Sequence, residues 1–89
     1  MLLSNLSKVI SVKKTYNFNK DKYFSAITSN SKLTNNKTLF VYDKNKSVKK
    51  IYLDEVIKNK TPAIISNKYI NNLKIPQFVV SNIDFETYA

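Results

Sequence analysis

The feature that most constrains this 89-residue sequence is the complete absence of glycine. Glycine is the residue that most easily adopts the positive φ angles that many tight turns require. Asparagine tolerates left-handed backbone angles better than other non-glycine residues, so it is the natural substitute. In the stretch AITSNSKLTNNKTLFVY, residues 26–42, small polar residues separate two apolar runs. The stretch therefore raises the question of which residues turn the chain.

Cysteine and histidine are also absent. The chain therefore has no disulfide framework and lacks the usual zinc ligands. The same absences remove the Ser-His and Cys-His pairs of nucleophilic catalysis. We predict no metal site and no catalytic residue in this chain.

The formal net charge of +9 favours nucleic acid or an anionic surface as a partner. However, every basic residue is lysine, and arginine is the preferred residue for phosphate and base-edge contacts. The abundance of lysine and asparagine is typical of a strongly AT-biased genome, which weakens the case for a nucleic-acid partner. A small lysine-rich protein that binds nucleic acid or an anionic surface is nevertheless the alternative function.

The apolar runs are far shorter than the roughly 20 residues that a membrane-spanning helix needs. The N-terminus lacks the basic region, the unbroken apolar region and the cleavage site of a signal peptide. We therefore predict a cytoplasmic protein with no membrane partner.

Apolar periodicity predicts the element order helix, strand, strand, helix, strand, strand. The first helix is predicted from Leu3 to Lys13, with Leu6, Val9 and Ile10 buried, and residues 14–21 are predicted to be irregular. Strands are predicted at residues 23–28, 38–42, 63–66 and 77–80. The strand–helix–strand unit 38–66 has a suitable length for a right-handed crossover between parallel strands. We expect a small layered α/β domain, with a mixed sheet of about four short strands and flanking helices.

The second helix is predicted over residues 51–60. Its apolar residues recur at helical offsets: Ile51, Leu53, Val56 and Ile57. Asp54 and Glu55 lie toward its start and lysines lie at its end, which complements the helix dipole. The two carboxylates point in different directions, so we interpret them as solvated helix surface and not as an acid/base pair.

The polar residues 28–32 follow the carboxyl end of a predicted strand, where open α/β sheets bind ligands. Hydroxyls, amides and free backbone N–H groups suit a base carbonyl or a phosphate. The competing interpretation is a polar connector in which serine and asparagine serve turn chemistry. Composition alone favours the connector.

The spacing within residues 27–41, ITSNSKLTNNKTLFV, resembles the N-terminal domain of the Mur ligases. The family pattern is I-T-x-D-S-R, then a short polar loop that usually contains Pro-Gly-Asp, then L-F-V-A. The matching positions are Ile27, Thr28, Ser31, Leu39, Phe40 and Val41. Asn30 stands where the family has an aspartate, and Lys32 where it has an arginine. Asn35 and Asn36 stand where the family's Pro-Gly usually makes a tight turn, so the resemblance implies that they form the turn here.

Two later segments look like the continuation of the same family pattern. Residues 51–67 are similar to F/Y-I-x-x-A-I-x-x-G-A-x-A-I-V, and residues 75–89 are similar to I-P-x-I-x-V-x-N/D-x-R-x-x-x-A. The resemblance covers roughly residues 25–89. It is nearest to the MurE type, UDP-N-acetylmuramoyl-L-alanyl-D-glutamate ligase, with the MurF type next.

The resemblance implies that the domain binds the UDP end of UDP-N-acetylmuramoyl-L-alanyl-D-glutamate. Ser29 and Ser31 would contact the uridine and the diphosphate, with the Ser31 hydroxyl donating to a uracil carbonyl or a phosphate oxygen. A second contact loop of the family follows the L-F-V-A strand. The implied UDP-binding residues are Thr28, Ser29, Asn30, Ser31, Lys32, Asn45, Lys46 and Ser47.

The resemblance also implies the domain organisation. Residues 1–82 would form the UDP-binding domain, and residues 83–89 would begin a truncated helix or linker to an absent ATP-binding domain. ATP, Mg²⁺ and the G-T-N-G-K-[ST] phosphate loop belong to that central domain, and a C-terminal domain brings the amino acid. This chain is therefore expected to be non-catalytic alone and without a cofactor of its own. The missing family aspartate, arginine and glycines fit either AT-driven drift with function retained or a decayed binding loop.

Overall fold

The computed structural model describes residues 1–43 and 50–81 of the chain. These residues form a small α/β domain around a five-stranded mixed sheet of order β1-β5-β4-β3-β2. The strands are β1 (Val12–Tyr16), β2 (Ala26–Thr28), β3 (Thr38–Tyr42), β4 (Ile64–Ser66) and β5 (Gln77–Val80). The helices are the 3₁₀ helices η1 (Leu3–Lys8) and η2 (Ser31–Leu33) and the α-helix α1 (Lys50–Lys58). Asn45, Lys46, Ser47 and the predicted final helix lie outside the described residues.

Strands β2, β3, β4 and β5 run parallel, and β1 pairs antiparallel with β5 at one edge. The predicted strand–helix–strand unit is confirmed, because β3 and β4 are parallel neighbours joined through α1. β3 has the predicted bounds, and the strands at β4 and β5 are also confirmed. Within residues 1–43 and 50–81, no helix is long and apolar enough to cross a lipid bilayer.

The predicted first helix from Leu3 to Lys13 is wrong beyond Lys8. The chain leaves η1 at that residue and enters β1 at Val12, so part of the segment predicted to be irregular is a strand. Val12 pairs with Val80 of β5. The backbone hydrogen bonds of this pairing stabilise the segment more than a longer helix would, because short isolated helices are only marginally stable. The sheet therefore has one strand more than the four expected.

The end of η1 also changes which side chains are buried. Leu6 and Ile10 are buried as predicted, but Val9 is 54% exposed. The backbone N–H groups of Val9 and Ile10 both donate to the Leu6 carbonyl oxygen, at 3.0 Å each. The chain therefore turns out of the helix there, and the α-helical spacing that predicted a buried Val9 no longer applies.

The first turn of η1 is attached to a carboxylate distant in sequence. The Ser4 hydroxyl donates to Asp21 Oδ2 at 2.6 Å, and the Ser4 backbone N–H donates to Asp21 Oδ1 at 3.0 Å. The hydrogen bond from the Ser4 hydroxyl is the main cause that lowers the pKa of Asp21 below its ordinary value, since it favours the ionised form.

The sheet has an apolar cluster on each face, because successive strand residues point to opposite sides. Leu39 and Val41 pack with the buried leucines of η1 on one face, and Phe40 packs with Val56 of α1 on the other. The predicted apolar stripe of α1 is only half confirmed. Val56 is fully buried, whereas Ile51 and Ile57 are 67% and 44% exposed. The first turn of α1 contains no acidic residue, so the predicted acidic start is wrong.

The strand β2 is shorter than predicted, because it begins at Ala26 and not at Tyr23. The turn between η2 and β3 needs no left-handed residue, since neither Asn35 nor Asn36 has a positive φ. Asn35 Oδ1 instead accepts hydrogen bonds from the Lys37 backbone N–H at 2.8 Å and the Thr38 hydroxyl at 2.9 Å. The predicted position of the turn is confirmed. The turn is stabilised by the Asn35 side chain, which accepts hydrogen bonds from the residues that follow it.

The helix α1 ends at Lys58, and two residues later Lys60 lies in the left-handed region with a φ of 61°. Its N–H donates to the Ile57 carbonyl oxygen at 3.0 Å, and the Thr61 N–H donates to the Val56 carbonyl oxygen at 3.3 Å. This pair of bonds defines a Schellman cap, whose left-handed position is usually glycine.

Lys60→Gly is therefore expected to raise the free energy of unfolding by about 0.5–1 kcal/mol, since glycine has no β-carbon to strain the left-handed angle. Urea denaturation monitored by circular dichroism measures the change. The matched control is Lys58→Gly, because Lys58 is the last residue of α1 and glycine there is expected to lower stability by up to about 0.5 kcal/mol. A loss of stability in both variants would contradict the left-handed cap.

Candidate functional site

A cleft of about 380 Å³ opens beside the carboxyl end of β2. One wall is the consecutive stretch 29–32, and the rest is formed by Phe40 of β3 and Tyr52 of α1. Its volume lies within the range of small-molecule sites. The predicted residues Ser29, Asn30, Ser31 and Lys32 therefore line one cleft, and the fold adds two aromatic rings that were not predicted as site residues.

The loop that enters this cleft is ordered by its own side chains. The Asn30 backbone N–H donates to Thr28 Oγ1 at 3.1 Å, and the Lys32 backbone N–H donates to Asn30 Oδ1 at 3.0 Å. Asn30 thereby caps the short helix η2. Ser29, Asn30 and Lys32 are exposed, whereas Thr28 is half-buried. The exposed groups are available to a ligand, and Thr28 shapes the loop.

Ser31 differs from its neighbours because it is only 6% exposed. Its hydroxyl donates to Glu55 Oε1 at 2.8 Å. A carboxylate at neutral pH has only acceptor sites, so the shared proton belongs to Ser31. This proton is engaged within the protein, whereas the family resemblance implied that it points to a ligand. The interpretation of Glu55 as solvated helix surface is wrong, since Glu55 is half-buried and bonded to the loop.

A second residue of the same helix face also attaches the loop. Asn59 lies one turn after Glu55, so both side chains lie on the same side of the helix. Asn59 Nδ2 donates to Thr34 Oγ1 at 3.1 Å, and the Thr34 hydroxyl donates to the Ser31 carbonyl oxygen at 2.6 Å. These bonds hold η2 against α1, so the cleft wall is formed before any ligand arrives.

The signal for these missed residues is their spacing. Tyr52, Glu55 and Asn59 recur at helical intervals of three and four, which places them along one side of α1. The predictions for this segment used only its apolar stripe and its adjacent carboxylates. A polar stripe beside an apolar one on the same helix is the pattern that would have indicated them.

The second predicted contact loop begins beyond the end of β3. Its candidates Asn45, Lys46 and Ser47 are among the residues that the structure does not describe. Within the described part, Asn67 Nδ2 donates to Asp43 Oδ1 at 2.9 Å. This bond joins the carboxyl ends of β3 and β4, at the same edge of the sheet as the cleft.

A larger cavity of about 560 Å³ lies on the η1 side of the sheet, between η1 and β1. It is lined by hydroxyls, amides and rings such as Asn17 and Phe18, and none of the described residues that line it is charged. A diphosphate in this cavity would contact no cationic side chain among the described lining residues. The smaller cleft, with Lys32 in its wall, is therefore the better candidate for an anionic ligand.

No protein-family model matches the chain, and no curated protein shows significant sequence similarity to it. Membership of the family suggested by residues 27–41 is accordingly a proposal.

Proposed function

We propose that the chain is the UDP-binding N-terminal domain of a MurE-type ligase, an enzyme of peptidoglycan biosynthesis and hence of the cell wall. The observation that supports this proposal most is the cleft beside β2, because its wall is the stretch 29–32 in which the family resemblance lies. Ligand sites of open α/β sheets occur at the carboxyl ends of parallel strands, which is where this cleft is found. The assignment of the fold to the Mur ligase N-terminal type is part of the same proposal.

The chemistry of the exposed cleft residues suits a nucleoside diphosphate. The Ser29 hydroxyl both donates and accepts hydrogen bonds, and the Asn30 Nδ2 group donates them while its Oδ1 caps η2, so the pair suits base and ribose recognition. The Lys32 ammonium offers a charge-assisted hydrogen bond to a phosphate oxygen. An aromatic ring such as that of Tyr52 provides a flat apolar surface on which a base can stack.

The role of such a domain is to position a substrate and not to react with it. The UDP group is remote from the carboxylate that is joined to an amino acid. Binding it would hold that carboxylate near the ATP γ-phosphate on a separate central domain, so that binding energy orients the reactants. ATP and Mg²⁺ belong to that domain, and this chain is proposed to be non-catalytic alone.

We expect UDP-N-acetylmuramoyl-L-alanyl-D-glutamate to shift the amide resonances of Ser29, Asn30 and Lys32 in ¹H–¹⁵N spectra of the 89-residue chain. UDP should produce the same pattern, and GDP should bind far more weakly. Ser29→Ala is expected to weaken UDP binding by about three- to tenfold, through the loss of one hydrogen bond.

The matched control is Ser7→Ala, because Ser7 is also an exposed serine but lies on η1, away from the cleft. It is expected to leave UDP affinity unchanged. If saturating UDP precursor moves no resonance between Thr28 and Lys32, the proposed function is wrong.

The alternative function also has an observation in its favour. Lys14 Nζ lies 5.2 Å from the centre of the Tyr16 ring, and the Tyr16 and Tyr69 ring centres are 4.5 Å apart. Lysine beside aromatic rings is typical of single-stranded nucleic-acid binding. A titration with a single-stranded DNA oligonucleotide tests this alternative. Shifts at these tyrosines, with an affinity that falls steeply as salt rises, would favour it over UDP binding.

A further inference from the structure

The cavity on the η1 side of the sheet has an apolar floor and a polar rim. Its buried lining residues are Leu3 of η1 and Phe78 of β5. Five of the eight lining residues carry a hydroxyl or an amide, and all five are exposed: Ser4, Ser7, Thr15, Asn17 and Asn19. The volume of about 560 Å³ lies within the range of small-molecule sites. Because Phe78 and the Phe40 of the cleft beside β2 belong to the apolar clusters of opposite faces, the two sites are separate.

The walls of this cavity are held by contacts within the protein. The Ser4 hydroxyl and backbone N–H donate to the two oxygens of Asp21, at 2.6 and 3.0 Å. Asn17 lies just after β1 in the left-handed region, with a φ of 59°, and its Nδ2 donates to the Leu73 carbonyl oxygen at 2.6 Å. Asparagine tolerates this angle better than most non-glycine residues. The turn that carries Phe18 is therefore attached to the fold before any ligand arrives.

Phe18 gives the cavity an exposed aromatic ring. The residue is 38% exposed, and its ring centre lies 5.9 Å from that of Phe78, with the two rings at 79° to each other. This edge-to-face contact anchors Phe18 on the sheet while more than a third of the residue remains accessible. The face of an aromatic ring is electrostatically negative, so it attracts the weakly positive C–H groups of a ligand.

The lining favours an uncharged ligand that is rich in hydroxyl groups. Ser7, Thr15 and Asn19 offer donors and acceptors, and the bonds that hold the walls do not use their side chains. A purely apolar ligand would bury these groups without hydrogen bonds, which is unfavourable. A charged ligand would meet no opposite charge among the described lining residues. A pyranose ring suits both parts of the lining, because it has C–H groups on its faces and hydroxyls around its edge.

We propose that this cavity binds a neutral saccharide, with one face of a pyranose ring against Phe18 and its hydroxyls bonded to Ser7, Thr15 and Asn19. A planar base also stacks on an aromatic ring, but it has few hydrogen-bonding groups with which to satisfy a rim of polar side chains. The inference is independent of the proposed function, because it concerns other residues and the other face of the sheet.

Titration of the full 89-residue chain with cellobiose, maltose, lactose and trehalose, followed in ¹H–¹⁵N spectra, tests this site. At least one of these neutral disaccharides is expected to shift the amide resonances of Ser7, Thr15, Phe18 and Asn19 and to leave those of residues 29–32 in place. Since the ligand is uncharged, its dissociation constant should be the same at low and at high salt. Adenine is the comparison probe for a planar base.

Phe18→Leu is expected to weaken saccharide binding by about tenfold, because leucine keeps the apolar packing on Phe78 but has no ring face. Phe18→Tyr keeps the ring and should bind within about twofold of the unaltered protein. The matched control is Tyr69→Leu, which should leave binding unchanged, since Tyr69 is 44% exposed but packs on Tyr16 and does not line the cavity. Asn19→Ala, at an exposed position, should weaken binding by about three- to tenfold through the loss of one hydrogen bond.

Three results would show that the saccharide proposal is wrong. The first is that none of the disaccharides shifts the amides of the cavity. The second is that adenine shifts them and the disaccharides do not. The third is that Phe18→Leu and Asn19→Ala both bind saccharide as tightly as the unaltered protein. Failure of UDP to bind at the cleft, with saccharide binding retained, would overturn the proposed function and leave this inference standing.

Discussion

Replacing Leu6 by alanine is expected to lower the free energy of unfolding by about 3 kcal/mol. Leu6 is fully buried and packs in the cluster between η1 and the sheet. The substitution removes apolar contacts and leaves a cavity that the short helix fills only in part. Since small domains are stable by only about 5–15 kcal/mol in total, the loss is a large share of the stability. Urea denaturation at constant pH measures it.

Val9→Ala is the matched control, because Val9 lies just after the same helix but is 54% exposed. It is expected to change stability by less than about 0.5 kcal/mol. The pair of variants also discriminates between two structures of this segment. If Val9→Ala costs as much as Leu6→Ala, the helix predicted from Leu3 to Lys13 is favoured over η1 followed by β1.

Gln77→Leu is expected to lower the free energy of unfolding by about 2–3 kcal/mol, although leucine is similar in size and more apolar. Gln77 is fully buried in β5. Its Nε2 donates to the Ile70 carbonyl oxygen at 3.0 Å, and its Oε1 accepts from the Ile70 backbone N–H at 2.9 Å. Leucine would leave both backbone groups of a partly buried residue without partners.

Two measurements identify this mechanism. Urea denaturation gives the loss of stability, and amide hydrogen exchange is expected to speed up at Ile70, whose N–H loses its acceptor. The matched control is Asn71→Leu, the same kind of change at an exposed position of the same loop, with an expected effect below about 0.5 kcal/mol. Equal losses in both variants would contradict the assigned role of Gln77.

Much of the sheet could be predicted from local pattern. The runs TLFVY, AIIS and QFVV are short, apolar and bounded by polar residues or proline, which is typical of buried strands. The helix between the first two follows from its apolar spacing. Once two parallel strands are separated by a helix of this length, their pairing as neighbours follows from chain connectivity.

The first strand could not be predicted in this way. The segment VKKTY has an exposed centre and only its ends are half-buried, so it lacks the apolar run that identified the others. Its conformation depends on antiparallel pairing with β5, more than sixty residues later in the chain. The length of η1 depends on the same contact, because residues paired in a strand are not available to extend a helix.

The candidate site could likewise be predicted only in part. Serine, asparagine and lysine at 29–32 follow a strand end, and this position could be selected from the sequence. Tyr52 and Glu55 belong to a different element, and their helical spacing does not indicate that their partner lies twenty or more residues earlier. The sequence therefore predicted that residues 29–32 line a site, but it did not predict that the Ser31 hydroxyl donates to Glu55.

Residue types and their spacing were enough to define a glycine-free α/β domain with a parallel β3–α1–β4 unit and a polar loop after β2. The elements follow from local apolar patterns, and the parallel pairing of β3 with β4 follows from the single helix that connects them. Tertiary packing alone decided the fifth strand, the early end of η1, and the bond between Ser31 and Glu55. Each of those depends on contact between distant segments, whose free energy exceeds the weak preferences of the local sequence.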